Sequence, residues 1–135
     1  MKLLIDANVL LDVLQNRAGF VEDSSLVWKL CETGQAEGIV SALTFANLVY
    51  VMRKKLGPEK IEEVCKLLSL IFHFADFSVS DRNRAVEMKW KGFEDAIQSA
   101  TAERVSAAYL ITRNVKDFSK SKVPALTPAE FLARL

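Results

Sequence analysis

Three aspartates lie where predicted strands end or a predicted helix begins. Asp6 ends an apolar N-terminal segment, Asp95 lies in the first turn of a helix after the break at Gly92, and Asp117 lies in a loop after the apolar segment 109–112. Ligands of parallel sheets bind outside the carboxyl ends of the strands. If the strands that carry them are neighbours, the three carboxylates converge on one cleft.

A cluster of carboxylates suggests one kind of chemistry. Clustered carboxylates repel one another, and a cation is needed to hold them together. A set of ligands made only of oxygen atoms selects Mg²⁺ or Mn²⁺ over zinc or copper, and such a site acts on phosphates. Taken singly, each aspartate is also explained as a helix-dipole partner or a turn residue. Spacing alone therefore gives only a weak signal.

The elements that must position these residues alternate along the chain. Apolar segments of strand length are separated by longer segments with a 3.6-residue period, which is typical of βα units around a parallel sheet. No repeat or Pro/Gly-rich linker divides the sequence, so we predict one α/β domain over residues 1–135. Predicted strands lie at 2–6, 39–42, 74–79 and 109–112, and predicted helices at 20–32, 44–56, 58–72, 81–90 and 93–106, with a first helix capped by Asn8 and a last one capped by Thr127.

Composition limits the classes of partner. Eighteen Lys and Arg against 17 Asp and Glu give a net charge of +1, so any contact with phosphate must be local. The apolar stretch 67–75 is far shorter than the ~20 residues of a membrane helix, and we expect a cytoplasmic protein without membrane contact. Cys31 and Cys65 are interpreted as buried free thiols, and His73 as a core or strand-edge residue, which argues against a zinc site.

Four segments of the chain resemble the successive blocks of one family. They are LLIDANVLLD (3–12), VSALT (40–44), GFEDAIQ (92–98) and ITRNVKDF (111–118). In this order, and over nearly the whole chain, they resemble the PIN domain in its single-domain bacterial form, which is similar to the VapC toxin ribonucleases of toxin-antitoxin pairs. The resemblance implies a three-layer α/β/α sandwich with a central parallel sheet and a nuclease that depends on Mg²⁺ or Mn²⁺.

The resemblance also assigns the metal and catalytic residues. Asp6 matches the first acid of the family and Asp95 the third. The fourth falls in the last block, where the alignment leaves a choice between Asn114 and Asp117, and we favour Asp117 as the only carboxylate there. Asn47 stands where the family has a glutamate. An amide offers an oxygen atom but no negative charge, so weaker metal binding is expected.

Further polar residues are candidates for a supporting role around the metal ligands. Ser99, one turn after Asp95, points the same way and would hydrogen-bond a metal-bound water. Asn8 is fully explained as a helix N-cap, and Thr44 is explained equally well as one. The candidates are Asn8, Ser41, Thr44, Ser99 and Asn114. Asp12 and Glu94, in contrast, are interpreted as solvated helix charges.

Basic residues in the loop beside Asp117 are candidates for RNA binding. Arg113 and Lys116 are predicted to contact phosphates, because they flank the proposed site on the same loop. For the other basic residues of this loop and of 53–55, a solvated surface is an equal alternative. Trp28 and Trp90 are interpreted as packing residues rather than base-stacking platforms.

The function predicted from the sequence is that of a metal-dependent endoribonuclease which hydrolyses RNA phosphodiester bonds. As the resemblance implies, Asp6, Asp95 and Asp117 would hold one or two Mg²⁺ ions, a small antitoxin protein would cover the cleft, and the toxin would form a homodimer. One alternative, favoured by Asn47, is a binding module that has lost catalysis and holds RNA or a protein. Another is a phosphatase or a DNA nuclease, because metal-held carboxylates serve all phosphoryl chemistry.

Overall fold

The computed structural model describes residues 1–135 and contains one sheet of five parallel strands in the order β3-β2-β1-β4-β5. The strands are β1 (Lys2–Ile5), β2 (Glu37–Ser41), β3 (His73–Ala75), β4 (Tyr109–Ile111) and β5 (Ala125–Leu126). The helices are α1 (Ala7–Leu14), α2 (Val21–Glu32), α3 (Ala42–Met52), α4 (Pro58–Ile71), α5 (Val79–Met88), α6 (Phe93–Arg104) and α7 (Pro128–Leu132). A short 3₁₀ helix lies at Val115–Phe118.

Helices cover both faces of the sheet, because successive strand side chains point to opposite sides. Leu3 and Ile5 of β1 belong to the larger apolar core, which includes residues of α1, α2, α3, α4 and α7. Leu4 belongs to a second core that contains Ala102 of α6, and α5 packs against α6. The predicted three-layer α/β/α sandwich with a central parallel sheet is therefore confirmed.

The order of the strands creates a potential ligand-binding position between β1 and β4. The chain runs outward from β1 to β2 and β3, then returns to place β4 on the other side of β1. This reversal makes the carboxyl ends of β1 and β4 a topological switch point, where open sheets bind their ligands. The backbone N–H of Asp6 donates to the carbonyl oxygen of Ile111 at 2.9 Å, so the residues that follow the two strands lie side by side.

Two predicted helix caps are wrong for the same reason. In the structure α1 begins at Ala7 with Asp6 as its N-cap, and α3 begins at Ala42 with Ser41 as its N-cap. Neither Asn8 nor Thr44 is therefore a cap. Each strand passes into its helix without an intervening loop, so the residue at the junction accepts a hydrogen bond from one of the first free N–H groups of the helix.

Other boundaries shift by a few residues. The third strand ends at Ala75 rather than at residue 79, because Ser78 and Asp81 form a capping box that begins α5. Helix α3 ends at Met52 rather than residue 56. Strand β5, with only two residues, was not predicted. The starts of α4 at Pro58 and of α7 after Thr127 are as predicted.

The two cysteines and the histidine form neither a disulfide nor a metal-binding cluster. Both cysteines are free; Cys31 is buried, and burial raises its pKa to about 11, but Cys65 is only half-buried, so the prediction of two buried thiols holds for one. His73 lies exposed on the edge strand β3. Among the helices, none has the length and apolar character that crossing a membrane requires.

Candidate active site

Asp6 lies at the carboxyl end of β1 and is held by two short hydrogen bonds. Its Oδ1 accepts from the backbone N–H of Ala7 at 2.8 Å, and its Oδ2 accepts from the Thr112 hydroxyl at 2.8 Å. Burial raises the pKa of Asp6, the two hydrogen bonds oppose that rise, and the charge of Asp117 adds to it. The buried Thr112, just after β4, therefore fixes the orientation of the Asp6 carboxylate.

Asp95 lies in the first turn of α6, where the preceding Gly92 leaves room for its carboxylate. A Cβ atom added to Gly92 would lie 2.6 Å from Asp95 Oδ2. The pKa of Asp95 is raised to about 6, first because burial disfavours the charged form and then because Asp117, Asp6 and Glu94 repel it. The three predicted aspartates therefore share one electrostatic neighbourhood.

Asp117 lies in the 3₁₀ helix and is exposed. Its negative charge raises the pKa of both Asp6 and Asp95, so it lies near both of them. Asn114 is also exposed, and its backbone N–H donates to the Thr112 hydroxyl at 3.0 Å. The assignment of Asp117 rather than Asn114 as the fourth site residue stays a prediction.

Asn47 of α3 faces α6, where it meets a residue interpreted from the sequence as a solvated charge. Its Nδ2 donates to Glu94 Oε2 at 3.2 Å. Glu94 is exposed and lies next to Asp95. Position 47 therefore does point toward the acidic residues, but its amide nitrogen is already directed at a carboxylate.

The predicted supporting residues occupy three small hydrogen-bond networks. The Asn8 Nδ2 lies 3.5 Å from Asp6 Oδ2 and 3.4 Å from Thr112 Oγ1, and its Oδ1 accepts from the backbone of Arg113. Asn8 therefore joins β1 to the loop after β4.

The other two networks attach α6 to its neighbours. Ser41 donates to Gln98 Oε1 at 2.7 Å, and Gln98 donates to the Thr44 hydroxyl at 2.6 Å, which connects α6 to the start of α3. Ser99 is fully buried and bonds the Ser121 hydroxyl at 2.7 Å. Gln98 was missed from the sequence, since a glutamine inside a helix gives no local sign that its amide is buried.

The donor set fits a divalent cation in its chemistry, although the side chains do not form a finished cage. No three His, Cys, Asp or Glu residues lie close enough together in this structure to hold a metal ion. Yet Asp6, Asp95 and Asp117 repel one another, and none of them forms an ion pair with a lysine or arginine. Oxygen ligands with unbalanced negative charge are those that Mg²⁺ and Mn²⁺ prefer.

A groove of about 470 Å³ begins at two of these carboxylates, Asp95 and Asp117, and has a basic wall. We call it the lysine groove; it is lined by Lys89, Trp90, Lys91, Gly92, Asp95, Lys116, Asp117, Ser119 and Lys120. Lys116 was predicted to contact phosphate, and it lies in this wall. Lys89 and Lys91 were missed, because they come from the turn before α6 rather than from the loop that carries Asp117.

Arg113 points to the other side of the loop. Its Nε lies 3.2 Å from Asp12 Oδ2, and its guanidinium lies over the ring of Phe20 at 4.1 Å. Asp12 is fully buried, accepts from the Ser24 hydroxyl at 2.9 Å and lies 3.8 Å from Arg17 Nη1. The interpretation of Asp12 as a solvated charge is therefore wrong, and Arg113 already has a buried anion as its partner.

Comparison with known proteins agrees with this architecture. The family model of the PIN domain matches residues 2–116, and the chain belongs to that family. A toxin-antitoxin complex from Klebsiella pneumoniae contains a chain 25% identical to this one, with a TM-score of 0.73 and coverage of 93% of this chain and 96% of that one. No curated protein matches the sequence.

Two more distant solved structures share the fold. VapBC-1 from nontypeable Haemophilus influenzae is 18% identical, with a TM-score of 0.73 and coverage of 96% of this chain and 99% of that chain. VapC20 from Mycobacterium tuberculosis, a Sarcin-Ricin loop cleaving toxin, is 10% identical, with a TM-score of 0.65 and coverage of 80% and 86%. The resemblance to PIN toxins noted from four short blocks therefore extends to the fold of nearly the whole chain.

Proposed function

We propose that this protein is a metal-dependent endoribonuclease that hydrolyses RNA phosphodiester bonds, and that it is the toxin of a toxin-antitoxin pair. The observation that carries the proposal is that a cluster of acidic side chains lies next to a groove lined with lysines. Asp6, Asp95 and Asp117 repel one another without cationic partners, and the lysine groove starts at two of them. Carboxylates suit a divalent cation, and a row of lysines suits a polyanionic strand.

The residues of the chain divide the catalytic work between them. Asp6, Asp95 and Asp117 would hold Mg²⁺ or Mn²⁺, which when bound supplies an acidified water and neutralises charge on the phosphate. Thr112 keeps Asp6 in one orientation through its 2.8 Å hydrogen bond. Lys116 and the other lysines of the groove would attract phosphates of the RNA strand. Positioning and electrostatics, rather than a protein nucleophile, carry the reaction.

The similar solved structures support a protein partner. The similar chain from Klebsiella pneumoniae was solved as part of a toxin-antitoxin complex, and VapBC-1 is also such a pair. We propose that a small antitoxin covers the cleft of this chain in the resting cell and that the toxin forms a homodimer. Inspection of the neighbouring reading frames and size-exclusion chromatography with light scattering test these two points.

Cleavage assays test the proposed activity. Purified protein with labelled single-stranded RNA should give cleavage in Mg²⁺ or Mn²⁺, none in EDTA, and none with Asp6→Asn. The same assay with single-stranded DNA and with a phosphate monoester separates a ribonuclease from a DNA nuclease and a phosphatase. Cleavage that persists in EDTA would contradict the metal dependence, and cleavage of DNA alone would contradict the substrate class.

A catalytically weakened binding module is the second candidate, and Asn47 is the observation that favours it. The side chain at this position lacks the charge that the family pattern supplies there. On this account the protein would bind RNA through the lysine groove without cutting it. RNA binding that saturates while cleavage stays at the level of Asp6→Asn would support this candidate.

A further inference from the structure

The contact between α3 and α6 explains how the site tolerates an amide at position 47. Asn47 is the only residue of α3 whose side chain hydrogen-bonds a carboxylate, and that carboxylate belongs to Glu94, in the first turn of α6. We infer that Glu94 supplies the metal site with the fourth carboxylate, and that Asn47 is a positioning residue that holds Glu94 in place. This inference rests on the proposed function, since it concerns the same site.

The chemistry of the contact fixes the direction of the hydrogen bond. A carboxylate only accepts, so the amide NH₂ of Asn47 must donate to Glu94 Oε2, and the two atoms lie 3.2 Å apart. The contact brings the Glu94 carboxylate against the side chain of position 47. The negative charge that the family carries on α3 therefore arrives at nearly the same place from α6.

Glu94 also acts on Asp95. Its charge is one of the causes that raise the pKa of Asp95, together with the charges of Asp117 and Asp6. Glu94 directly precedes Asp95 in the first turn of α6, and its side chain reaches Asn47 of α3. The Glu94 carboxylate thus lies close to Asp95, and the hydrogen bond from the Asn47 amide holds it in place.

The position of Glu94 in the first turn of a helix has a second explanation, which the experiment must distinguish from a role in metal binding. Such a residue stabilises the helix through its dipole. Glu59 provides a matched control, because it is exposed and occupies the same second position of α4 that Glu94 occupies in α6. Glu59 has no hydrogen-bond partner on another helix, so its replacement reports the dipole effect alone.

The test is calorimetric titration of Mn²⁺ into the full chain without RNA. Glu94→Gln should weaken Mn²⁺ binding by about 10-fold or more, the size of effect seen when groups around a metal are removed. Glu59→Gln should stay within about 2-fold of the parent. Equal affinities for the two variants would overturn the inference, whereas a parent that binds no Mn²⁺ at all would overturn the proposed function with it.

Two further variants test the division of roles. Because Asn47 acts through Glu94, Asn47→Ala should weaken Mn²⁺ binding in the parent but add nothing in a Glu94→Gln background. Asn47→Glu combined with Glu94→Gln returns one carboxylate to the same place from α3 and should recover most of the lost affinity. Additive losses, or no recovery in the exchanged variant, would contradict the role given to Asn47. Circular dichroism of each variant without metal confirms that the fold is retained.

Discussion

Replacement of Asp95 by asparagine gives a prediction whose size comes from the structure. The carboxyl group of Asp95 has its pKa raised from an ordinary 3.8 to about 6 by burial and by the neighbouring acids. At about 1.4 kcal/mol per pKa unit the full shift corresponds to about 3 kcal/mol. Solvent around this half-buried side chain reduces that to about 1 to 2 kcal/mol. Without metal at pH 7.5, Asp95→Asn should therefore be more stable than the parent by about 1 to 2 kcal/mol.

The sign of the pH dependence follows from the direction of the shift. Because the folded-state pKa lies above the unfolded one, the folded protein binds this proton more tightly. The stabilisation from Asp95 is therefore complete below about pH 3.8 and is lost as the pH rises through about 6. The advantage of Asp95→Asn should be full at pH 7.5 and should shrink steadily as the pH falls toward 4.

Urea unfolding in EDTA, followed by circular dichroism at several pH values, measures this difference. Repeating the pH 7.5 series with Mn²⁺ should reverse the order, because the parent gains stability from bound metal and the variant loses a ligand. An asparagine variant that is less stable than the parent in EDTA, or a difference that does not change with pH, would refute the reasoning that the acids repel one another.

Three other predictions concern residues around the cleft. Changing Lys89 and Lys91 to alanine should weaken RNA binding across sequences and reduce the log-log salt slope by about one to two, as measured by fluorescence anisotropy at several salt concentrations. Arg113→Met should leave that slope unchanged but lower the free energy of unfolding in urea by about 3 kcal/mol, because it leaves a buried aspartate of α1 without its closest cation. Gly92→Ala should weaken Mn²⁺ binding in calorimetry, because the added methyl group displaces the Asp95 carboxylate.

Controls on the same chain sharpen these three tests. Lys60 and Lys66 are exposed on α4, far along the chain from the groove, and their double alanine variant should bind RNA as the parent does. A smaller log-log salt slope of RNA binding for Arg113→Met would show instead that Arg113 contacts RNA. The control for Gly92→Ala is Gly57→Ala. Gly57 is the N-cap of α4, as Gly92 is of α6, and a Cβ atom added there would have a single contact, at 3.7 Å, with a side chain of its own helix.

The sequence predicted the fold, and where Asp6 and Asp95 lie in it, for local reasons. The strand segment before Asp6 and the glycine break before Asp95 are visible in the chain, and parallel strands must end at one edge of the sheet. The four blocks that resemble the PIN domain then set the order of these elements. The two helix caps were mistaken by two and three residues, because a strand that runs directly into a helix offers no loop to mark the boundary.

What the sequence could not predict depends on partners far away in the chain. Asp12 looks like an exposed charge on α1 until Arg113, from the other end of the sequence, is placed against it. Arg113 and Lys116 are near neighbours on one loop, yet they point to different sides of it. Glu94 likewise gained its significance only when Asn47 of α3 was placed beside it. Local pattern gives the residue types, and tertiary structure decides which of them meet.

Titration of Mn²⁺ into the parent protein and into Asp6→Asn, by calorimetry at pH 7.5, tests the central claim most directly. The claim is that Asp6, Asp95 and Asp117 form a divalent-cation site. We predict saturable binding to the parent and at least about 10-fold weaker binding to the variant, since a metal site loses affinity steeply when it loses an anionic ligand. No binding to the parent, or equal binding to both proteins, would contradict it.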